Sequence, residues 1–206
     1  MLDNFKKEKA DFLKKRDKSK KGSIDKDAVK IVSEINSKDN YYTTSICSGR
    51  IVLLEMKSKR KDKCIWLFVK HDKVKTDEIL KCLQQCHKNK KILNGQHLKF
   101  FSSEIWFKQQ PIILHVACRN IDAAKRLLDT ARKLFKHSGI IGITDKKVVV
   151  EIIGSERIET ILADKNFVAD KIFIKNLIKH ANKNFAENKR KSEVLLNLLK
   201  SELFSL

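Results

Sequence analysis

No stretch of the chain reaches the ~18 consecutive apolar residues needed to cross a bilayer, and no apolar N-terminal segment resembles a signal peptide. A soluble protein with no membrane partner is expected. Cysteine is sparse: Cys47, Cys64, Cys82, Cys86 and Cys118 form an odd set with irregular spacing and no CxxC pair. Reduced thiols of this kind point to the cytoplasm. Cys82 and Cys86, at i, i+4, supply at most half a zinc site, and His87 does not complete one, so no metal is expected. The strand-to-helix GxGxxG is missing, as are GxxxxGK[ST], HExxH and GxSxG. An ordinary Rossmann nucleotide enzyme is therefore not expected. Acidic residues are also short, with 25 Asp and Glu against 45 Lys and Arg, a formal charge of +20. Such an imbalance favours a polyanionic partner, most often nucleic acid.

What is present centres on residues 41–52, YYTTSICSGRIV. Tyr41 to Thr44 are aromatic or β-branched and favour extended backbone. The apolar run from Ile51 restarts a strand, so a β-hairpin around a tight loop is expected. The loop gathers Ser45, Cys47, Ser48, Gly49 and Arg50. Hydroxyls and a guanidinium fork bind carboxylate or phosphate oxygens, and Gly49 permits positive φ and close approach of a ligand.

The rest of the chain reads as strands and helices. Helices are expected over 2–16 and from the cap Asp25 through Ile35. Strands follow at 51–56 and 63–70, then a helix over 77–88 capped by Thr76, and a strand at 96–101. The single proline, Pro111, opens a second apolar block. It holds a strand over 112–117, a helix over 121–136 capped by Asn120, a hairpin from Ser138 to 153, and a strand over 157–162. A long helix over about 170–202 ends the chain, its outer half a basic arm or partner-binding helix. The expected fold is α+β with layered α/β packing: a mixed sheet from two strand–helix–strand blocks, flanking helices and the long C-terminal helix. One domain spans 1–206, with a helical segment over 1–40, a core over 41–168 and the helix over 169–206.

Histidines mark two strands. His71 ends one of them, where a side chain is placed to meet ligand; His115 lies inside another, where a buried neutral ring is the ordinary outcome. Arg119 and Ser138 lie at element ends. Basic tracts at 14–21 (with Lys14, Lys15 and Arg16), at 57–63 (with Lys57, Lys59, Arg60 and Lys61) and at 87–91 suit phosphate contacts. Tyr41 and Tyr42 are candidates to stack on an unstacked base, whereas core packing is the expected role of Trp66.

Four separated motifs occur in register: SxCSGRI, the Trp and His of WLFVKH, the LHVxCR block from Leu114 to Arg119, and SGI at Ser138, Gly139 and Ile140. Together they resemble the wybutosine-synthesising protein family, in particular the third enzyme of that pathway and its archaeal counterparts. The resemblance implies an S-adenosylmethionine-dependent methyltransferase. The implied substrate is phenylalanine tRNA, methylated on N4 of the tricyclic guanosine derivative at position 37, beside the anticodon. It implies a cofactor or substrate site drawn from Ser45, Cys47, Ser48, Gly49, Arg50, Arg119, Ser138, Gly139 and Ile140. His71 and His115 are then the candidate bases, with His71 slightly preferred. At Ile46 the chain departs from the family, which usually carries a second serine there. A non-catalytic RNA-binding module, and an enzyme using Cys47 with His71, are the two other classes this sequence permits.

Overall fold

A computed structural model describes residues 3–14, 26–56, 64–88 and 103–201. The element order is α1 (Asn4–Lys14), α2 (Lys26–Asn36), β1 (Tyr41–Cys47), β2 (Arg50–Met56), β3 (Cys64–Lys70), α3 (Thr76–Lys88), β4 (Glu104–Gln110), β5 (Ile113–Cys118), α4 (Ile121–Arg132), β6 (Gly139–Ile143), β7 (Val148–Ile153), β8 (Ile158–Ala163) and α5 (Lys171–Ser201). The chain forms two compact units. One comprises Met1–Ser48, Pro111–Ser155 and Glu187–Leu206, the other Gly49–Gln110 and Glu156–Ala186.

Each unit holds one four-stranded sheet, ordered β1-β5-β7-β6 in the first and β3-β2-β4-β8 in the second. Every ladder is antiparallel. The fold is α+β as expected, but the single mixed sheet is replaced by two antiparallel ones. The strand–helix–strand blocks are real: α3 connects β3 to β4, and α4 connects β5 to β6. In each, however, a third strand sits between the two that the helix joins. β2 lies between β3 and β4, and β7 between β5 and β6. Antiparallel insertion of this kind splits the crossover, so no parallel ladder forms.

The 41–52 hairpin does not exist. β1 pairs with β5, β2 pairs with β3 and β4, and the units divide between Ser48 and Gly49. Gly49 takes φ of 101°, a left-handed value that costs a residue with a Cβ about 1 kcal/mol or more. The Ser-Gly signal thus marks a departure from one sheet to the other rather than a turn within one.

In the first unit, Leu114, Val116, Val150 and Ile152 of the sheet pack on Leu127, Ala131 and Phe135 from α4 and its exit, on Ile31 and Ile35 of α2, and on Leu195 and Leu199 of α5. The outer half of α5 is therefore a core element and not a protruding arm, because Leu195 and Leu199 are fully buried. In the second unit, Ile51, Leu53, Ile105 and Phe107 pack on Ile79 and Leu83 of α3 and on Ile174, Ile178 and Ala181 of α5. β4 had no counterpart in the sequence reading, although Ile105, Phe107 and Gln109 alternate inward with period two. The strand expected at 96–101 lies outside the described residues.

Helix starts follow their caps. Asn120 accepts a hydrogen bond from the Ala123 N–H at 2.9 Å, and Asp170 accepts from Phe173 N–H at 2.7 Å. Thr76 is instead the first helical residue of α3, and Glu78 reaches back to accept from the Lys75 N–H at 2.6 Å.

Helix α1 lies on the second face of the first sheet, where Phe5 and Phe12 flank Tyr42 at 5.4 Å between ring centroids. Two ion pairs hold it there. Asp3 pairs with Arg119, which also donates to Asn40 Oδ1 at 2.7 Å, and Glu8 pairs with Lys147 and accepts from the Tyr42 hydroxyl at 3.1 Å. The Arg119 bond holds the Asp3 carboxyl below its usual 3.8, and the Lys147 bond holds Glu8 below its usual 4.5. Groups with depressed folded-state pKa stabilise fully above their unfolded values, and that stabilisation is lost as pH falls through the folded ones. Amide exchange in α1 should therefore accelerate relative to the β5 and β7 amides below about pH 4. Arg119→Ala should produce about tenfold faster α1 exchange already at pH 7; exchange unchanged by both acid and substitution would contradict the clamp.

Candidate functional site

The row that carries chemistry lies on the second face of the first sheet. Antiparallel pairing sets Ser45 opposite His115, His115 opposite Glu151, and Glu151 opposite Gly139, one residue from each of the four strands. A bulge makes the first of these pairings. Thr43 faces Val116 and Ser45 faces His115, so Thr44 is the extra residue. It shifts the phase of β1 so that Ser45 shares a face with His115, and the Thr44 hydroxyl donates to the His115 carbonyl at 3.3 Å. Ser45 Oγ lies 2.9 Å from His115 Nδ1, and His115 Nε2 lies 2.9 Å from Glu151 Oε2. Ser45 is exposed, and the His115 and Glu151 side chains are each 30% exposed. Contrary to what its strand interior suggests, His115 is thus not fully buried. It is held at both ring nitrogens.

As a carboxylate, Glu151 is an acceptor only, so Nε2 of a neutral His115 carries the hydrogen and Nδ1 accepts from the Ser45 hydroxyl. The neighbouring rungs on the same face are apolar: Tyr42–Ala117–Val149 on one side and Cys47–Ile113–Ile153 on the other. Glu151 was missed by sequence reasoning. Its one signal is a carboxylate interrupting the β-branched run VVVEII.

The remaining candidates are distributed as follows. Arg119, four residues from His115, does not join it; Asp3, Asn40 and the Asp39 carbonyl take its donors, and its guanidinium lies 5.0 Å from the Phe5 ring centroid. Ser138 is buried, its hydroxyl accepting from Ile153 N–H at 3.3 Å and its carbonyl accepting from Arg132 Nε at 2.9 Å. Gly139 ends the polar row, and a Cβ built there meets nothing within 4 Å. Ile140 is exposed on edge strand β6. Ile46 packs against the core cluster, so the departure from serine at that position strips no hydroxyl from the polar row. Cys47 and Ser48 lie at the end of β1 and just beyond it.

The second unit holds Gly49, Arg50 and His71. Arg50 Nε donates to Gln110 Oε1 at 2.6 Å, and its guanidinium lies 4.8 Å from the Trp66 ring centroid. Among the described residues no carboxylate pairs with it. Trp66 is 43% exposed on edge strand β3, while Tyr41 and Tyr42 are buried. This reverses the expected roles, because β1 is covered on both faces, with Tyr41 in the main core and Tyr42 against Phe5 and Phe12, whereas Trp66 lies outside the core cluster of its unit. His71 follows the last residue of β3. Lys14 is exposed in the last turn of α1. Lys15, Arg16, Lys57, Lys59, Arg60 and Lys61, and the side chains of 87–91, lie outside the described residues.

Among the described residues no group of three or more His, Cys, Asp or Glu is arranged to hold a metal ion, and no helix is long and apolar enough to cross a membrane. Burial pushes the Cys118 thiol up to about 12; burial, then the neighbouring Cys86, pushes Cys82 up to about 11.

Fold and polar row together define a non-Rossmann α+β protein with a hydrogen-bonded Ser–His–Glu series on a sheet face. Its relatives give that class a chemistry. The model of the family described as Methyltransferase TYW3 matches residues 5–201. A mouse protein named tRNA wybutosine-synthesizing protein 3 homolog is 33% identical over 201 residues, 95% of this chain and 72% of its own. A Pyrococcus furiosus protein named tRNA(Phe) 7-((3-amino-3-carboxypropyl)-4-demethylwyosine(37)-N(4))-methyltransferase 1 is 34% identical over 166 residues, 79% of this chain and 78% of its own. The solved structure of PH1069 protein from Pyrococcus horikoshii superposes with a TM-score of 0.78 at 30% identity, covering 98% of this chain and 97% of that one. The chain belongs to the Methyltransferase TYW3 family.

The thiols give a direct check on this geometry. At pH 8 only about one Cys118 in 10⁴ is thiolate, and about one Cys82 in 10³. Brief alkylation of the native protein should modify Cys47 and Cys64 and spare Cys118 and Cys82 in a peptide mass map. Equal modification of all five would refute the buried placement of Cys118.

Proposed function

We propose that this chain methylates N4 of the tricyclic guanosine derivative at position 37 in the anticodon loop of phenylalanine tRNA, with S-adenosylmethionine as donor. The observation that carries this reading is the family match over 5–201 in a chain whose Ser45, His115 and Glu151 share one hydrogen-bonded row. The names of the archaeal relatives supply the substrate. S-adenosylmethionine brings a methyl group already activated by its sulfonium.

The protein's tasks are alignment of donor and acceptor, and removal of a proton. We assign the base to His115, since its ring is oriented from both sides. His71 remains the alternative. Arg50 is assigned to the carboxylate of the donor's amino-acid end: its planar fork is stacked on Trp66, and a bidentate carboxylate suits that presentation. Gly49 beside Arg50 is buried, with a left-handed φ. The basic tracts at 14–21, 57–63 and 87–91 hold tRNA phosphates without reading sequence.

The test is mass spectrometry of anticodon-loop nucleosides after pathway-intermediate tRNA is incubated with the protein and labelled S-adenosylmethionine. The expected product carries one labelled methyl on the tricycle. His115→Ala should lower turnover on the order of 10²-fold. Arg50→Ala should weaken donor binding in calorimetry far more than Lys59→Ala does. Unlabelled tRNA that nevertheless binds tightly would replace this reading with a non-catalytic RNA-binding module.

A further inference from the structure

The geometry points to Glu151 as the residue that positions His115, and to Ser45 as the group through which His115 reaches the acceptor. This inference rests on the assignment of His115 as base and adds two roles to it. Three observations carry it. The row is continuous, with 2.9 Å on each side of the imidazole. Its order is fixed by strand register, so the three side chains are neighbours by construction. And it is graded in exposure: Ser45 is exposed on edge strand β1, whereas His115 and Glu151 are half-buried behind it.

The roles follow from donor and acceptor capacity. Glu151 accepts from Nε2–H and so leaves the lone pair on Nδ1. That lone pair accepts the Ser45 hydroxyl hydrogen, which turns the Ser45 oxygen's own lone pairs outward. As the methyl leaves the donor's sulfonium, whose sulfur keeps the bonding pair and departs as a neutral thioether, and bonds to the acceptor nitrogen, the nitrogen's proton passes to Ser45 Oγ while the Ser45 proton passes to His115 Nδ1. Ser45 is regenerated as a neutral hydroxyl, and the proton rests on an imidazolium paired with Glu151. Glu151 touches neither substrate nor donor, so it is a positioning residue. Gly139, next in the row, places no side chain on the far side of the carboxylate.

The experiment compares the full-length wild type with Ser45→Ala, His115→Ala, Glu151→Gln and Glu151→Asp. Single-turnover methylation of intermediate tRNA is measured alongside steady-state kcat and KM. Long-range proton–nitrogen correlation on histidine-labelled protein reads the His115 tautomer, with His115→Ala assigning the signal. Wild type should show the Nε2–H form. Glu151→Gln, which can present an amide N–H to the ring, should admit the other tautomer and lower kcat by between about 10- and 100-fold at unchanged KM. Glu151→Asp should restore the Nε2–H form and part of kcat. Ser45→Ala should lower kcat and leave the tautomer unchanged. A wild-type kcat for Glu151→Gln, or a lost kcat with the tautomer unaltered, overturns the role of Glu151. A wild-type kcat for Ser45→Ala overturns that of Ser45. Full turnover by His115→Ala would instead overturn the base assignment itself, and the tautomer data separate that failure from the others.

Discussion

Strand register on the first sheet is the constraint on which the site depends. Side chains on neighbouring antiparallel strands meet only when they lie on the same rung and the same face. Ser45, His115 and Glu151 come from positions 70 and 36 residues apart, and the ladders alone bring them into line. A slip of one residue in β1 would turn Ser45 to the core face and bring Ile46 out to the row. The bulge at Thr44 sets that phase. The core on the other face then locks it, because Leu114, Val116, Val150 and Ile152 have to be buried together.

Much of the secondary structure was legible because its signals are local. Asn120 and the stripe through Leu127 and Ala131 specify α4, and Ser138 does precede a hairpin. Pairing across the chain was not legible. Ser48–Gly49 carries the composition of a tight turn, yet a positive φ at Gly49 serves equally well to send the chain into a different sheet. Nothing within 41–52 distinguishes the two outcomes; the decision belongs to β5 and to β4, more than fifty residues on. The inverted roles of the tyrosines and Trp66 have the same origin. Tyr41 and Tyr42 are buried because β1, though an edge strand, is covered on both faces, and Trp66 is exposed because it lies outside the core cluster of its unit. The family motifs carried the function of the chain more directly than any of these patterns, since a motif is a record of the assembled site.

Charge plays two parts that composition cannot separate. Arg119 and Lys147 look like members of a cationic surface in the sequence, but both are committed to carboxylates of α1. Lys147 sits above its usual value: partial burial works downward, and the bonds to Glu8 and Tyr42 outweigh it. Arg50 differs from both in having an amide and an indole as its neighbours. A guanidinium held by neutral groups keeps its charge for a ligand, while one held by a carboxylate has already spent its electrostatic attraction inside the fold.

The same distinction bears on the polar row. Its face is apolar on either side, from Tyr42, Ala117 and Val149 to Cys47, Ile113 and Ile153. Stability alone would favour a valine or threonine at 151 and an aliphatic residue at 115, as β-branched neighbours pack well there. Instead all three strands break their apolar pattern on a single rung, each with a residue that can donate or accept a proton, and the three hydrogen-bond in sequence. Isolated polar substitutions on a sheet face are common and need no explanation. Three that coincide on one rung, in the order hydroxyl, imidazole, carboxylate, depart from local preference together, and such departures gather where function rather than packing determines the residue. One end of the series is exposed at Ser45 and the other is the half-buried carboxylate of Glu151, so the relay proposed above has a direction, with protons entering at Ser45 and stabilised inward.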